Sequence, residues 1–404
     1  MNSAQHAAQL PAPTYSARIL FGVLSRLRKG RLEVTTPEGV RRVFAGAGDG
    51  PSADLEIRDW KAVGRMVRAA DIGVAECWRD GLIATRDMTA LLALCEANQA
   101  ALESVFYGNP VVAFLYRLAH LLRPNTRAGS RKNIHAHYDL GNDFYALWLD
   151  RTMTYSSALF GPGLDGSLER AQEAKYERLL DALGVQAGHR VLEIGCGWGG
   201  FAEYAARTRG CHWTGITISR AQLDYARERI RKAGLEDRVE LRFQDYRDLD
   251  GTWDRIVSVE MIEAVGERWW PAYFRQLRER LVPGGKAAIQ AITIDAAAFP
   301  KYRVTSDFIR EYVFPGGMLA PVERLAALAR GSGLRVHEPF RFGRHYAETL
   351  RRWREAVDAK ERGIKALGFD DRFLAIWRFY LHYCEVGFDA GRIDVVHLEM
   401  ERPA

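Results

Sequence analysis

The sequence predicts an α/β protein with a doubly wound, mostly parallel sheet, preceded by a smaller α+β domain. From residue 185 onward, apolar strand-like runs alternate with amphipathic helical patterns, which is typical of parallel sheets. A loop at 124–132, rich in Pro, Asn, Arg, Gly and Ser, separates this region from an earlier one without that alternation. The chain has 404 residues and 48% hydrophobic content, enough for two cores. We therefore expect domains at 1–125 and 126–404.

The expected elements follow from hydrophobic periodicity. In the first domain we expect strands at 32–36, 42–44 and 53–57, and helices at 60–70 and 88–98. In the second we expect strands at 191–194, 213–218, 239–243, 255–259 and 287–294. A helix near 268–281 should end at Val282-Pro283-Gly284-Gly285, because proline and glycine cannot continue it.

The cysteines and the hydropathy indicate a cytoplasmic protein. The five cysteines form an odd set without a CxxC pair, which disfavours a disulfide framework and a thiolate zinc site, and we expect no metal. No run reaches the roughly 18 apolar residues that span a bilayer, and the N-terminus has no signal-type pattern. The cysteines are Cys77, Cys95, Cys196, Cys211 and Cys384.

The net charge of +6 is unevenly distributed. Five basic residues and no acid lie between Arg18 and Arg31, interleaved with apolar residues at helical spacing, and residues 111–132 repeat this pattern. One interpretation is a pair of helices lying on an anionic membrane surface. The other is two ordinary amphipathic helices that close a small core. Nucleic acid is disfavoured as a partner because no nucleic-acid-binding module is recognisable.

A glycine-rich loop is the main candidate for cofactor binding. Strand 191–194 continues into Gly195-Cys196-Gly197-Trp198-Gly199-Gly200 and then into a helix, so backbone amides can approach a ligand closely. A nicotinamide-binding fold would have GxGxxG and an acid after the second strand. Here that strand ends in Thr217-Ile218-Ser219, so hydroxyls and the Gln222 amide are available instead. Asp245 and Tyr246 follow the third strand and could hold an adenine; each of these residues could instead be a helix cap or turn.

Several ordered motifs resemble the cyclopropane-fatty-acyl-phospholipid synthase and mycolic acid cyclopropane synthase family. They are HYDLGNDFY (137–145), TYS (154–156), LEIGCGWGG (192–200), TGITIS (214–219), IVSVEMIEAVG (256–266), FPGG (314–317) and His345-Tyr346. The resemblance implies a class I methyltransferase fold with a Rossmann-like, seven-stranded sheet, and S-adenosylmethionine as cofactor. The residues expected at the cofactor are Tyr155, Ser156, Glu193, Gly195, Cys196, Gly197, Trp198, Gly199, Thr217, Ser219, Gln222, Asp245 and Tyr246.

The resemblance also implies a reaction. The methyl carbon of S-adenosylmethionine would be added to the double bond of an unsaturated acyl chain in a membrane phospholipid, and the resulting carbocation would lose a proton to give a cyclopropane. A methylene- or methyl-branched product, a small-molecule N- or O-methyltransferase and a non-catalytic lipid-binding protein remain alternatives. We expect peripheral membrane association and allow for a homodimer.

The base is where this chain departs from the family pattern. Relatives are thought to use bicarbonate, held by a cysteine, a glutamate, a histidine and a tyrosine. Glu263, Tyr346 and Cys384 match family positions. However, Ser157 replaces a cysteine, Gln290 replaces the histidine, and Glu260 stands where glycine is usual. Our hypothesis is that the Glu260 carboxylate, hydrogen-bonded by Gln290 and Ser157, replaces bicarbonate and shares a proton with Glu263. Alternatively, Glu260 caps a helix or faces solvent.

Overall fold

The computed structural model describes residues 14–106 and 140–404. The chain divides into two compact units, Met1–Val112 and Ala113–Ala404. The expected linker at 124–132, the basic region at 111–132 and residues 137–139 of the first motif lie outside the described residues. Among the described residues, no helix is both long and apolar enough to cross a membrane.

The first unit combines a four-stranded mixed sheet with helices. Its sheet order is β2-β1-β3-β4, with β1 and β3 parallel and the other two pairs antiparallel. The second helix extends past residue 70, where we expected it to end, but Ala70 has non-helical backbone angles and kinks it there. The strands are β1 (Lys29–Thr35), β2 (Arg41–Ala45), β3 (Gly48–Ile57) and β4 (Ile83–Ala84), and the helices are α1 (Tyr15–Leu24), α2 (Lys61–Arg79), α3 (Met88–Ala97) and α4 (Gln99–Phe106).

Helix α1 corresponds to the first basic amphipathic region but ends earlier than the pattern suggested. The residues after Ser25 turn away, and the basic residues from Lys29 onward belong to β1. Leu20 and Val23 are buried, and the Phe21 ring packs 5.5 Å from the Phe44 ring. The apolar face of α1 therefore contributes to the core of this unit, and membrane association remains a prediction.

The second unit contains the larger sheet. Its strands are β5 (Arg190–Ile194), β6 (His212–Thr217), β7 (Val239–Phe243), β8 (Trp253–Val259), β9 (Leu281–Ile294), β10 (Arg335–Val336), β11 (Phe340–Arg341) and β12 (Ile393–Glu401). Its α-helices are α5 (Asn142–Trp148), α6 (Leu168–Leu183), α7 (Gly200–Arg209), α8 (Arg220–Ala233), α9 (Trp270–Arg280), α10 (Phe299–Val304), α11 (Val322–Gly331), α12 (Gly343–Ala359), α13 (Glu361–Ala366) and α14 (Asp371–Asp389). Single turns of 3₁₀-helix lie at Tyr246–Asp248, Ile262–Ala264 and Glu267–Trp269, and a π-helical turn lies at Ile309–Val313.

The topology confirms the predicted doubly wound, mostly parallel sheet. The strand order is β10-β12-β9-β8-β5-β6-β7, and β11 also pairs with β12. Strands β5 to β9 are parallel, whereas β12 is antiparallel to β9. Residues on β5 alternate between two apolar clusters, Leu192 in one and Val191 in the other, so both faces of the sheet are covered. The loops after β5, β6 and β8 therefore meet at one edge, where ligands bind in such sheets.

Strand β9 begins earlier than predicted. The preceding helix ends at Arg280, next to the predicted stop, but Val282 to Gly285 lies inside the strand. Gly284 has a φ of 73°, and its N–H donates to the carbonyl of Arg402, while the Arg402 N–H donates to the carbonyl of Gly285. Arg402 thus extends the hydrogen-bond ladder between β9 and β12 to Gly284 and Gly285.

Candidate active site

The loop between β5 and α7 adopts a conformation that glycine favours. Gly195, Gly197 and Gly199 have φ values of 88°, 51° and 78°. A Cβ atom at Gly200 would lie 2.3 Å from the carbonyl oxygen of Thr152, so only glycine fits there. A Cβ at Gly197 would meet nothing within 4 Å. The loop is therefore closely packed on one side and has open space beside Gly197, as a backbone that cradles a ligand requires.

The HYDLGNDFY motif supports this loop through its asparagine. The Trp198 indole N–H donates to Asn142 Oδ1 at 2.8 Å, and Asn142 Nδ2 donates to the carbonyl of Ala221 at 3.0 Å. The Tyr145 ring lies 5.0 Å from the Trp198 ring. The asparagine thus links the glycine loop to the first turn of α8.

The polar residues after β6 form a connected group. The Thr217 hydroxyl donates to Gln222 Oε1 at 3.0 Å and accepts from the Ser219 N–H at 3.1 Å. The Ser219 hydroxyl accepts from the Gln222 N–H at 3.3 Å and so caps α8. Thr217 and Gln222 are buried and bonded to each other at the carboxyl end of β6, and Ser219 caps α8, so contact of these three residues with the cofactor remains a prediction.

Asp245 and Tyr246 lie at the carboxyl end of β7. Both oxygens of Asp245 accept from the Arg247 guanidinium, at 2.9 and 2.7 Å. The Tyr246 hydroxyl is buried without a hydrogen-bond partner among the described residues. The Asp245 carboxylate is thus already in an ion pair. If it also bound an adenine, each of its oxygens would accept from both the adenine and Arg247.

Glu193 and Cys196 support the loop from inside the fold. The Glu193 carboxylate is buried and accepts from the Trp213 indole N–H at 2.9 Å. Burial raises the pKa of Glu193 to about 8, and burial also holds the pKa of the Cys196 thiol well above its usual value. We expected both residues at the cofactor; the structure gives Glu193 a partner in the neighbouring strand.

Five residues that the sequence singled out lie together beyond the end of β8. We call Ser157, Glu260, Glu263, Gln290 and Tyr346 the Glu260 cluster. Glu260 Oε1 accepts from the Ser157 N–H at 2.8 Å and from Gln290 Nε2 at 2.7 Å. Glu260 Oε2 accepts from the Tyr346 hydroxyl at 2.7 Å. The Glu260 carboxylate is therefore held by three donors from three separate segments, neither capping a helix nor facing solvent.

The backbone at Glu260 is strained. Its φ is 46°, a left-handed conformation that is uncommon for residues other than glycine. Its N–H donates to the carbonyl of Gln290 at 2.8 Å, which continues the pairing of β8 with β9. A side chain kept in such a conformation often has a functional reason.

Glu263 provides a second buried carboxyl group. Its Oε1 accepts from the Ile292 N–H at 2.6 Å, whereas its Oε2 has no hydrogen-bond partner among the described residues. Burial, together with the charge of Glu260, raises the pKa of Glu263 to about 8. Burial also raises the pKa of Glu260, but hydrogen bonds from Tyr346 and Ser157 oppose that shift. Glu263, with a pKa of about 8, therefore keeps its proton near pH 7, so the two carboxyl groups do not both carry a charge there.

Lys175 is a functional candidate that the sequence reasoning missed. This fully buried lysine donates to the Ser156 hydroxyl at 2.8 Å and to Gln172 Oε1 at 2.7 Å, and Gln172 Nε2 donates to the Ser156 carbonyl at 3.0 Å. Burial lowers the pKa of Lys175 to about 7, and the charge of Glu260 opposes that shift. Gln172 and Lys175 occupy the buried stripe of α6 that otherwise holds apolar residues such as Leu179, and this was the available signal.

Aromatic side chains surround this region. The Tyr155 and Tyr380 hydroxyls are 2.8 Å apart, and the Tyr346 ring stacks on Phe388 at 4.5 Å. Burial raises the pKa of the Cys384 thiol, so it is neutral near pH 7; it lies on α14, one turn after Tyr380. The Ser157 hydroxyl donates to the Ala158 carbonyl, so only the Ser157 backbone reaches Glu260.

Several known proteins are similar to this chain. The family model described as mycolic acid cyclopropane synthetase matches residues 125–398. The tuberculostearic acid methyltransferase UfaA1 of Mycobacterium tuberculosis is 40% identical over 87% of this chain and 83% of its own length. The cyclopropane-fatty-acyl-phospholipid synthase of Escherichia coli K12 is 36% identical over 66% of each chain.

A solved structure provides the corresponding fold. The mycolic acid cyclopropane synthase CmaA1, complexed with SAH and CTAB, superposes with a TM-score of 0.63 at 29% identity, covering 67% of this chain and 98% of that one. Sequence and structure thus agree on one family. This chain belongs to the mycolic acid cyclopropane synthetase family and is an S-adenosylmethionine-dependent methyltransferase of the cyclopropane synthase type, related to enzymes that act on lipids.

Proposed function

We propose that this enzyme adds the methyl carbon of S-adenosylmethionine to the double bond of an unsaturated acyl chain in a phospholipid, and that Glu260 accepts the proton released afterwards. The hydrogen-bonded carboxylate of Glu260 carries the proposal. Its three donors, Ser157, Gln290 and Tyr346, are already satisfied by a side chain of this protein. A bicarbonate ion therefore does not fit among them, and no step depends on one.

The cofactor site fits the glycine loop. S-Adenosylmethionine supplies a methyl carbon that is electrophilic because it is bonded to a sulfonium sulfur. Gly195 to Gly199, Gln222 and the Tyr155-Ser156 segment would hold it, with the open side of the loop at Gly197 available to the ligand. Lys175 and Gln172 keep the Tyr155-Ser156 segment in place through Ser156.

The reaction can be written with every electron pair assigned. The π electrons of the double bond form the new carbon–carbon bond, the methyl–sulfur bond breaks with its electrons on sulfur, and the neighbouring acyl carbon becomes cationic. Glu260 then accepts a proton from the added methyl group. The released C–H electron pair closes a cyclopropane, or, if a hydride has first shifted between the two acyl carbons, it forms a methylene branch.

The surroundings suit a transient cation. Tyr346 contacts Glu260 through its hydroxyl, and the Tyr155 and Tyr346 rings pack against further aromatic residues, Trp353 and Phe388. Aromatic faces stabilise cations, and a dry wall prevents water from trapping them. An N- or O-methyltransferase would need no such enclosure.

A methylene-branched product is the second candidate. The proposed base in this chain is the side chain of Glu260, whereas the family pattern implies a free bicarbonate ion. The oxygen that accepts the proton can therefore lie at a different place relative to the acyl chain. The relative with 40% identity, moreover, is named as a methyltransferase and not as a cyclopropane synthase.

The test is incubation of the full-length enzyme with oleoyl-phospholipid vesicles and S-adenosylmethionine carrying a CD3 group. We expect acyl chains that are heavier by one CD2 unit, which requires loss of one methyl deuteron. Ozonolysis then separates the two products, because it cleaves a methylene branch and leaves a cyclopropane intact. Retention of all three deuterons, or methylation of an added amine or phenol with no change in any lipid, would overturn the proposal.

A further inference from the structure

A chain of hydrogen bonds runs behind Glu260. His397 Nε2 lies 2.9 Å from Gln290 Oε1, and Arg178 Nη1 lies 2.8 Å from His397 Nδ1. Arg178 Nη2 also donates to Glu399 Oε1 at 3.0 Å. Gln290 and His397 are directly paired in the antiparallel register of β9 and β12, and both are fully buried. The chain of contacts therefore connects α6 to Glu260 through the middle of the sheet.

The donor at one end fixes the direction of every hydrogen bond along this chain. An arginine can only donate, so His397 Nδ1 must accept. In a neutral imidazole the other nitrogen then carries the proton, so His397 Nε2 donates to Gln290 Oε1. The Gln290 amide nitrogen is thereby turned toward two acceptors, Glu260 Oε1 at 2.7 Å and the Ser157 carbonyl at 3.3 Å.

None of the described residues packed against His397 favours a charged ring. Burial and the positive charges of Arg178 and Lys175 hold the pKa of His397 well below its usual value. The Phe342 and Phe340 rings lie 4.7 and 6.0 Å from the imidazole. The acid at the far end of this chain of hydrogen bonds, Glu399, is paired with Arg178. His397 is therefore a neutral connector with a single tautomer.

We propose that Arg178 and His397 are positioning residues which, through Gln290, keep Glu260 Oε1 as a permanent acceptor and leave Oε2 as the oxygen that takes the proton. This inference rests on the proposed function of Glu260. Two donors point at Oε1, and neither the Ser157 N–H nor the oriented Gln290 amide can accept in return. Oε2 faces only the Tyr346 hydroxyl in this network, and a hydroxyl can turn from donor to acceptor when Oε2 becomes protonated.

The tautomer can be measured on the unmodified protein. In full-length enzyme labelled with 15N-histidine, we expect one imidazole that keeps an Nε2–H, with Nδ1 unprotonated, from pH 5.5 to 8.5. The His397→Gln variant assigns the signal, because that signal alone disappears. An Nδ1–H tautomer, or a ring that titrates in this range, would contradict the proposal, because the Gln290 amide would then be free to face the other way.

Kinetics of variants give the second test. His397→Phe removes the donor to Gln290 Oε1, so the carboxylate form of Glu260 loses support and the acidic limb of the kcat–pH profile should move to higher pH. At neutral pH we expect roughly a tenfold loss of kcat with little change in KM for either substrate. His397→Gln, which keeps a donor, should recover part of the loss. His337→Phe is the matched control, since His337 is about half exposed and outside the chain of contacts.

The outcomes separate this inference from the proposed function. If Glu260→Gln abolishes turnover but His397→Phe has the rate and pH profile of the parent enzyme, the positioning chain is refuted and Glu260 remains the base. If Glu260→Gln retains full turnover, the proposed function fails whatever the histidine tautomer. Should His397→Phe fold poorly, the NMR measurement on the parent enzyme decides the inference by itself.

Discussion

Replacement of Glu260 by glutamine separates the role of this side chain in catalysis from its role in structure. The two side chains have the same shape, and the amide carbonyl of the introduced glutamine, placed where Oε1 lies, still accepts from Ser157 and Gln290. The amide nitrogen takes the place of Oε2, where it donates to the Tyr346 oxygen, so the tyrosine hydroxyl loses its acceptor.

The two expected magnitudes differ enough to be distinguished. Loss of one hydrogen bond to a charged group costs about 1.5–3 kcal/mol. Removing a buried negative charge offsets part of that cost, so the free energy of unfolding should change by no more than about 2 kcal/mol. Loss of a general base lowers kcat by about 10²–10⁴-fold, equivalent to about 3–5 kcal/mol in the barrier.

The assay is single-turnover formation of the modified acyl chain, with denaturant unfolding measured on the same samples. Glu240→Gln is the control, because Glu240 is an exposed acid on β7 that pairs with Arg242, and its loss should leave the rate unchanged. In the parent enzyme kcat should rise with pH as Glu260 loses its proton, and that limb should vanish in Glu260→Gln. A variant within threefold of the parent rate would refute the assignment of Glu260 as the base.

Three further predictions concern the same site and its surroundings. Lys175→Met removes a buried lysine whose charged form lowers the pKa of Glu260, so kcat near pH 7 should fall by up to about tenfold and recover as the pH is raised, which a pH–rate profile measures. Glu193, with a pKa of about 8, keeps its proton in the folded state while the unfolded chain releases it above about pH 4.3. Its contribution to stability is thus lost as pH rises toward 8, and the melting temperature of Glu193→Gln relative to the parent should increase between pH 5 and 8; a constant difference would contradict this. Removal of dissolved bicarbonate by degassing and sealed buffers should leave turnover unchanged, whereas a rate that recovers on adding bicarbonate would show that Glu260 has not replaced the ion.

The fold could be predicted closely where buried apolar residues form continuous runs. Strand 239–243 was predicted with the bounds it has, and β5, β6 and β8 differ from prediction by one or two residues at one or both ends. Strands β4, β10, β11 and β12 were not predicted. Three of them have only two residues, too few to show periodicity, and β10 and β11 form through pairing with β12. The length of α1 was overestimated, since the same mix of basic and apolar residues occurs in both α1 and β1.

The part of the site that could be predicted consists of residues that differ from the family pattern. Glu260, Gln290 and Ser157 attracted attention as three unusual residues, and the structure places hydrogen bonds among them. Lys175 and His397 could not be found in this way. Their roles depend on which face of α6 is buried and on the register between β9 and β12, and both are set by tertiary packing.

The left-handed backbone at Glu260 also has an evolutionary consequence. A glycine there would relieve the strain and leave Ser157, Gln290 and Tyr346 directed at a space the size of a carboxylate. Codons for glutamate and glycine differ by a single base. On the proposed function, a base carried by the protein and a site for an anion from the surrounding medium therefore differ at this position by one substitution, and the Ser157 N–H and the Gln290 amide would remain as donors to such an anion.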